Sequence, residues 1–179
     1  MAKTSINEDE QDLVIPHPTT QSESIIQPIM VVSDSWKALA FYEKVFGAKK
    51  IWHLMHYHRV GHMVISIGRS EVAILDEFPE SGILAPPLDG SLDKVRNGAR
   101  LTMEVPDVDK VIAAATEGGA TILRQPSDEW WGVRGGSFRD PFGYTWAIRS
   151  KTNPMTIKEV QEKSDEMDLY PPPKETVTA

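Results

Sequence analysis

An internal repeat dominates this sequence. The stretches IIQPIMVVSDSWKALAFYEKVFGAKK and ARLTMEVPDVDKVIAAATEGGATI both run strand, Asp-containing turn, helix, glycine stop, strand, offset by 72 or 73 positions. Val32-Ser33-Asp34 answers to Val105-Pro106-Asp107, and Phe46-Gly47-Ala48 answers to Gly118-Gly119-Ala120. At 179 residues the chain is long enough for one well-cored domain, or for two small pseudo-repeats that share a core.

Periodicity supplies the helices. Ala38, Phe41, Tyr42, Val45 and Phe46 form one apolar stripe, as do Val108, Val111, Ile112 and Ala115 in the second copy. Gly47 and Gly118 stand where a left-handed residue would close each helix. Alternating runs follow: KKIWHLMHYH, GHMVISIG and SEVAILDE, then ATILRQPSDEW, WGVRGGSFRD and YTWAIRS. The expected pattern is βαβββ twice, an α+β fold. Its units span 25–77 and 99–151, with a Pro- and Gly-containing linker at 78–98. Residues 1–24 read as a disordered acidic arm, and 152–179 as a helix capped near Asn153 or Thr156 with a Pro-rich tail.

Composition removes several functions. A net charge of -7 argues against nucleic acid. No apolar run approaches the roughly 18 residues of a membrane span, and the amino terminus lacks the apolar core of a signal peptide, so a cytoplasmic protein is expected. With no cysteine in the chain, thiolate nucleophiles, thiolate metal sites and disulfides are excluded.

A duplicated βαβββ unit ending in DPFGYTW resembles the vicinal oxygen chelate superfamily: glyoxalase I, ring-cleaving dioxygenases, fosfomycin-resistance enzymes and bleomycin-resistance binding proteins. AFYEKVFGA, the His62 strand with IGRSEVAILDE, and WWGVRGGSFRDPFGYTW are similar to its single-domain glyoxalase-like branch, over about 25 to 150. The resemblance implies two units forming a cupped mixed sheet with helices outside, a site within the cup, and a homodimer. Whether the cup closes within one chain or between two is left open. It also implies metal ligands at four positions, occupied here by Gln27, Ala73, Arg100 and Ala147. Only Gln27 can donate, and a permanently protonated arginine repels a cation. No metal or other cofactor is therefore expected. A divalent metal is the alternative, held at the inherited positions or rebuilt from His62, Gln27 and Glu71 or Glu77.

The remaining candidates come from strand alternation. His53, His56, His58 and His62 crowd one hairpin; Met63, Ile65 and Ile67 look core-facing, which turns His62, Val64 and Ser66 to the cup. His62 is a candidate general acid or base, with Glu104 the second catalytic candidate. Arg100, Thr102 and Glu104 share a face, and Arg100 either pairs with a glutamate or receives a carboxylate or enolate oxygen. Arg134 is a second candidate for that task, or a brace for its hairpin. Trp130 and Trp131 are read as alternating across a strand, one in the core and Trp131 lining the pocket with Gln27. Asp140, Pro141 and Gly143 read as turn chemistry, and Trp146 with Ile148 as packing on the second helix.

Two functions fit. One is a metal-independent enzyme acting by proton transfer on a small oxygenated metabolite that bears a carboxylate or carbonyl, as isomerase, lyase or ring-opening enzyme. The other is a binding protein that sequesters a planar metabolite. A metal-dependent glyoxalase or ring-cleaving dioxygenase is the third reading.

Overall fold

The structure is a computed structural model and describes residues 26–88 and 100–167. The predicted arm at 1–24, linker positions 89–98 and the tail from Asp168 lie outside them.

The first unit runs β1 (Ile29–Val32), α1 (Ser35–Phe46), β2 (Lys49–His56), β3 (Arg59–Ile67) and β4 (Ser70–Asp76). The second runs β5 (Leu101–Glu104), α2 (Val108–Glu117), β6 (Thr121–Glu129), β7 (Val133–Arg139) and β8 (Thr145–Lys151). A further helix, α3 (Ile157–Glu166), starts from a Thr156–Glu159 capping box. Each unit makes a four-stranded mixed sheet, ordered β1-β4-β3-β2 and β5-β8-β7-β6, with no ladder joining the two among the described residues.

Local chemistry sets the helix ends. Asp34 and Asp107 accept the amides of Lys37 and Lys110 at 3.0 Å each, the N-cap arrangement that aspartate favours. Gly47 closes α1 in the left-handed conformation, φ 66°. In the second unit that step falls on Gly119, φ 89°, and not on Gly118, whose φ is -81°. What Gly118 supplies is room: a β-carbon there would stand 2.8 Å from the Phe41 ring, where α1 meets α2.

One core serves both units. Phe41 and Phe46 of α1 meet the Phe138 ring at 6.5 and 6.2 Å, and Trp146 lies 4.7 Å from Phe46. Trp146 was expected on α2; it packs on α1 because α1 lies against the helix-bearing faces of both sheets. Ile112 of α2 covers β7 at Gly136. The other face of each sheet therefore turns away from the shared core.

Asp140 of the DPFG turn and Tyr144 just after it fasten the units together. Asp140 is buried and accepts from Tyr42 Oη at 2.7 Å, Trp146 Nε1 at 2.9 Å, and the amides of Phe142 and Tyr144 at 3.0 and 2.9 Å. Burial pushes its carboxyl above the ordinary range against the pull of these donors. The Tyr144 hydroxyl accepts from Val31 N at 2.8 Å and donates to Val31 O at 3.0 Å, occupying both backbone groups of Val31 on the free edge of β1. Tyr144→Phe removes both bonds and leaves an amide without an acceptor, so urea denaturation is expected to show a loss of about 1–3 kcal/mol. An unchanged midpoint would mean that water replaces the phenol at no cost.

Trp130 and Trp131 belong to the turn between β6 and β7, not to a strand, and both are half-buried. Gly132, φ 79°, completes that turn and accepts through its carbonyl from the amides of Thr152 and Asn153. This strap leads the chain from β8 to α3.

Candidate functional site

Strand alternation assigns the outward face of the first sheet. Met63, Ile65 and Ile67 enter the core, so His62, Val64 and Ser66 point outward. Ile29 and Val31 do the same on β1, and Ile29 stays 59% exposed. His62 stacks on Trp52, with centroids 5.1 Å apart and planes at 23°, and faces Leu54 across the β2–β3 ladder. Burial lowers its affinity for a proton, so the imidazole is neutral near pH 7. Trp52 went unnoticed in the sequence, although its place opposite Val64 in a hairpin was a usable signal. His53 lies on the other face, 5.1 Å from Trp36, while His56 and His58 are exposed.

The inherited ligand positions fall at matching places in the two sheets. Ile29 pairs with Ala73 in the parallel β1–β4 ladder, and Thr102 with Ala147 in β5–β8. Gln27 precedes β1 and donates its amide to Glu71 at 3.3 Å; Arg100 precedes β5 and is exposed. A divalent cation needs several converging oxygen or nitrogen donors. Two alanines offer none, an arginine opposes the charge, and no three His, Asp or Glu side chains cluster among the described residues. The rebuilt alternative fails on spacing. Glu71 pairs with Ser66, four residues along β3 from His62, which is roughly 13 Å of strand. Glu77 sits past β4, where its backbone carbonyl accepts from Arg59 and its carboxylate lies 3.4 Å from the Ala85 amide. The residues present do not fit a metal.

The second sheet presents a different outward face. Phe138, Trp146 and Ile148 enter the core, so Ser137, Ala147 and Arg149 point outward beside Thr102 and Glu104. Glu104 pairs with Arg149 at 3.2 Å, not with Arg100. Arg124 of β6 crosses over Gly135 and pairs with Glu129. Arg149 was legible from its alternation with Ala147. Arg124 was not, because register shifts interrupt β6 on both sides of it.

Arg134 lies elsewhere. It shares the helix-bearing face with Gly136 and Phe138 and holds Asp109 of α2 at 2.7 and 2.8 Å and Asp128 at 3.1 Å. Its guanidinium braces α2 against the hairpin and is withdrawn from the outward face. Trp131 lies in the turn between β6 and β7, outside the strands of the sheet.

His62 and Glu104 belong to different sheets, and no hydrogen bond joins them among the described residues. A cleft of about 600 Å³ runs between the starts of β1 and β5, lined by Gln27, Glu71, Thr102, Leu101 and Trp146 among others. It takes in Gln27 of the expected pocket residues and reaches neither His62 nor Glu104.

The profile described as Glyoxalase/Bleomycin resistance protein/Dioxygenase superfamily matches residues 17–148. An uncharacterised protein of Mycobacterium bovis is 29% identical over 140 residues, covering 78% of this chain and 91% of that protein. An uncharacterised Mycobacterium tuberculosis protein is likewise 29% identical over 140 residues, 78% of this chain and 81% of its own. Among solved structures, TioX from Micromonospora sp. ML1 aligns with a TM-score of 0.53 at 22% identity, over 74% of this chain and all of that one. The fosfomycin resistance protein FosX from Mesorhizobium loti aligns with 0.51 at 17% identity, over 78% and 98%. At these identities the structures share the fold.

Proposed function

Because the chain belongs to the glyoxalase/bleomycin resistance/dioxygenase superfamily, we propose that it acts without a metal on a small oxygenated metabolite bearing a carboxylate or carbonyl. The reaction is a proton transfer: isomerisation, elimination or ring opening. One observation carries this reading. The four inherited donor positions hold Gln27, Ala73, Arg100 and Ala147, while the outward face keeps a neutral imidazole, His62, stacked on Trp52. A neutral imidazole takes a proton from a carbon acid and returns it, and the Trp52 ring gives a planar substrate a wall to lie against.

The second reading is sequestration. What favours it is Glu104, which is ion-paired with Arg149 and lies in the other sheet from His62, so this carboxylate does not accompany the imidazole. Because both outward faces turn from the shared core, the reading includes a homodimer in which facing sheets of two chains close the cup.

Titration calorimetry of untagged protein with zinc, manganese and magnesium is expected to show no stoichiometric binding; a one-to-one metal would overturn the reading. In proton NMR, His62 is expected to titrate below free histidine. Its depressed folded-state pKa implies stability present above about pH 6.5 and lost as pH falls through the folded value. If a substrate is turned over by the wild type and bound but not turned over by His62→Ala, the enzyme reading stands. Equal turnover by both proteins removes His62 from the reaction.

A further inference from the structure

We infer that the outward face of the second sheet holds a site for the oxyanion head of a small molecule, carboxylate or phosphate, built by Arg124 and Arg149 over Gly135. The inference deepens the proposed function by naming the ligand's head group, and rests on that reading only in using the same outward surface. It does not depend on His62.

Gly135 shows why the site is built. Its backbone needs no glycine, since the left-handed glycines of the described chain lie elsewhere. A β-carbon at Gly135 would stand 2.8 Å from Arg124 Nη2, so the missing side chain is the space that the guanidinium occupies. Gly135 is also the cross-strand partner of Arg149. Partners on one face hold their β-carbons about 5 Å apart, so Arg149 rises beside the same spot. Two guanidinium groups from β6 and β8 thus share one patch of sheet floor.

Two like charges placed together need counter-charge. Glu129 and Ser127 engage Arg124 through Nη1, and Glu104 engages Arg149 through Nη2. These partners leave donors over. Arg149 Nε is screened from solvent and has no acceptor among the described residues, which is rare for a buried donor. That Nε–H is closed to a ligand, but the half-exposed Nη end of the Arg149 fork beside a second guanidinium matches an oxyanion that accepts from both. Glu104 then acts as a stand-in, holding Arg149 until an anion competes for it.

The test uses the full-length, nitrogen-15-labelled protein and follows arginine Nε–H signals during titration with inorganic phosphate and, separately, with benzoate. Saturable shifts of the Arg149 and Arg124 signals are expected, and the probe that binds more tightly separates a tetrahedral from a planar head group. Arg149→Lys should weaken binding about tenfold or more, because lysine lacks the fork. Glu104→Gln should tighten it severalfold by removing the competing carboxylate. Gly135→Ala should weaken it while leaving the thermal midpoint in place, since only the end of a flexible side chain must move. His62→Ala should leave anion binding unchanged. Linear shifts with both probes, or equal binding by wild type and Arg149→Lys, would overturn the inference even if turnover through His62 were established. Saturable binding in a protein that never turns a substrate over upholds it and leaves the proton-transfer reading to fail alone.

Discussion

Asp140→Ala is expected to cost about 3–5 kcal/mol of folding stability, measured as a shift of the urea transition at constant slope. Four donors converge on this carboxylate: the Tyr42 hydroxyl from α1, the Trp146 indole from β8, and the backbone amides of Phe142 and Tyr144. Each buried donor left without an acceptor costs about 1–3 kcal/mol, and the four cannot be rescued separately because they share one cavity. Against a total stability of about 5–15 kcal/mol, such a loss brings the domain close to its threshold. Asp140→Asn should be damaging as well. Oδ2 receives both Tyr42 and Trp146, and an amide nitrogen in its place would confront the indole N–H. Tyr42→Phe, which removes a single donor and leaves the other three bonds, should cost only about 1 kcal/mol. A loss below 1 kcal/mol for the alanine variant would show that solvent reaches the turn, and the network would not be what joins the units.

The second large effect is expected at Gly132, which combines two constraints. Its φ of 79° disfavours any residue with a β-carbon, by about 1–2 kcal/mol. That β-carbon would also overlap the Asn153 carbonyl oxygen, and Met155 closes the space from the other side. The strap cannot retreat freely, because the amides of Thr152 and Asn153 are bonded to the Gly132 carbonyl. Gly132→Ala is therefore expected to lower stability by about 3 kcal/mol and to detach the segment leading into α3, which limited proteolysis after β8 would detect. Gly47→Ala provides the contrast. It has a similar φ of 66°, but nothing lies within contact of its β-carbon, so the conformational cost of about 1 kcal/mol stands alone. Equal losses at the two glycines would refute the packing argument.

The two tests fall on features of unequal legibility. DPFG announces a turn in any sequence, since aspartate, proline and glycine have intrinsic turn preferences. That Asp140 also anchors Tyr42, 98 positions away in the chain, follows only from the packing of α1 against the second sheet. The same division runs through the candidate site. His62 and Ala147 could be assigned faces from their alternation with Met63, Ile65 and Ile67 and with Trp146 and Ile148, although a register shift between Leu54 and Met55 breaks the ladder just beyond His62. Arg134 was placed with the binding residues although its parity with Phe138 already set it on the helix side. Arg124 carried no such signal: the register shifts beside it break the phase from which a face is read.

What the sequence determined by itself is therefore what repeats locally: two βαβββ units, the buried stripe of α1, the aspartate caps and the outward aim of His62. These follow from periods of 3.6 and 2 residues and from side-chain chemistry, which act within a few positions. The tertiary structure alone decided that Trp146 packs on α1, that Arg134 belongs to Asp109, and that Glu104 answers Arg149. Such pairings depend on how the two sheets meet around one core. Many partners of the right charge or size were available along the chain, and only the packed geometry chooses among them.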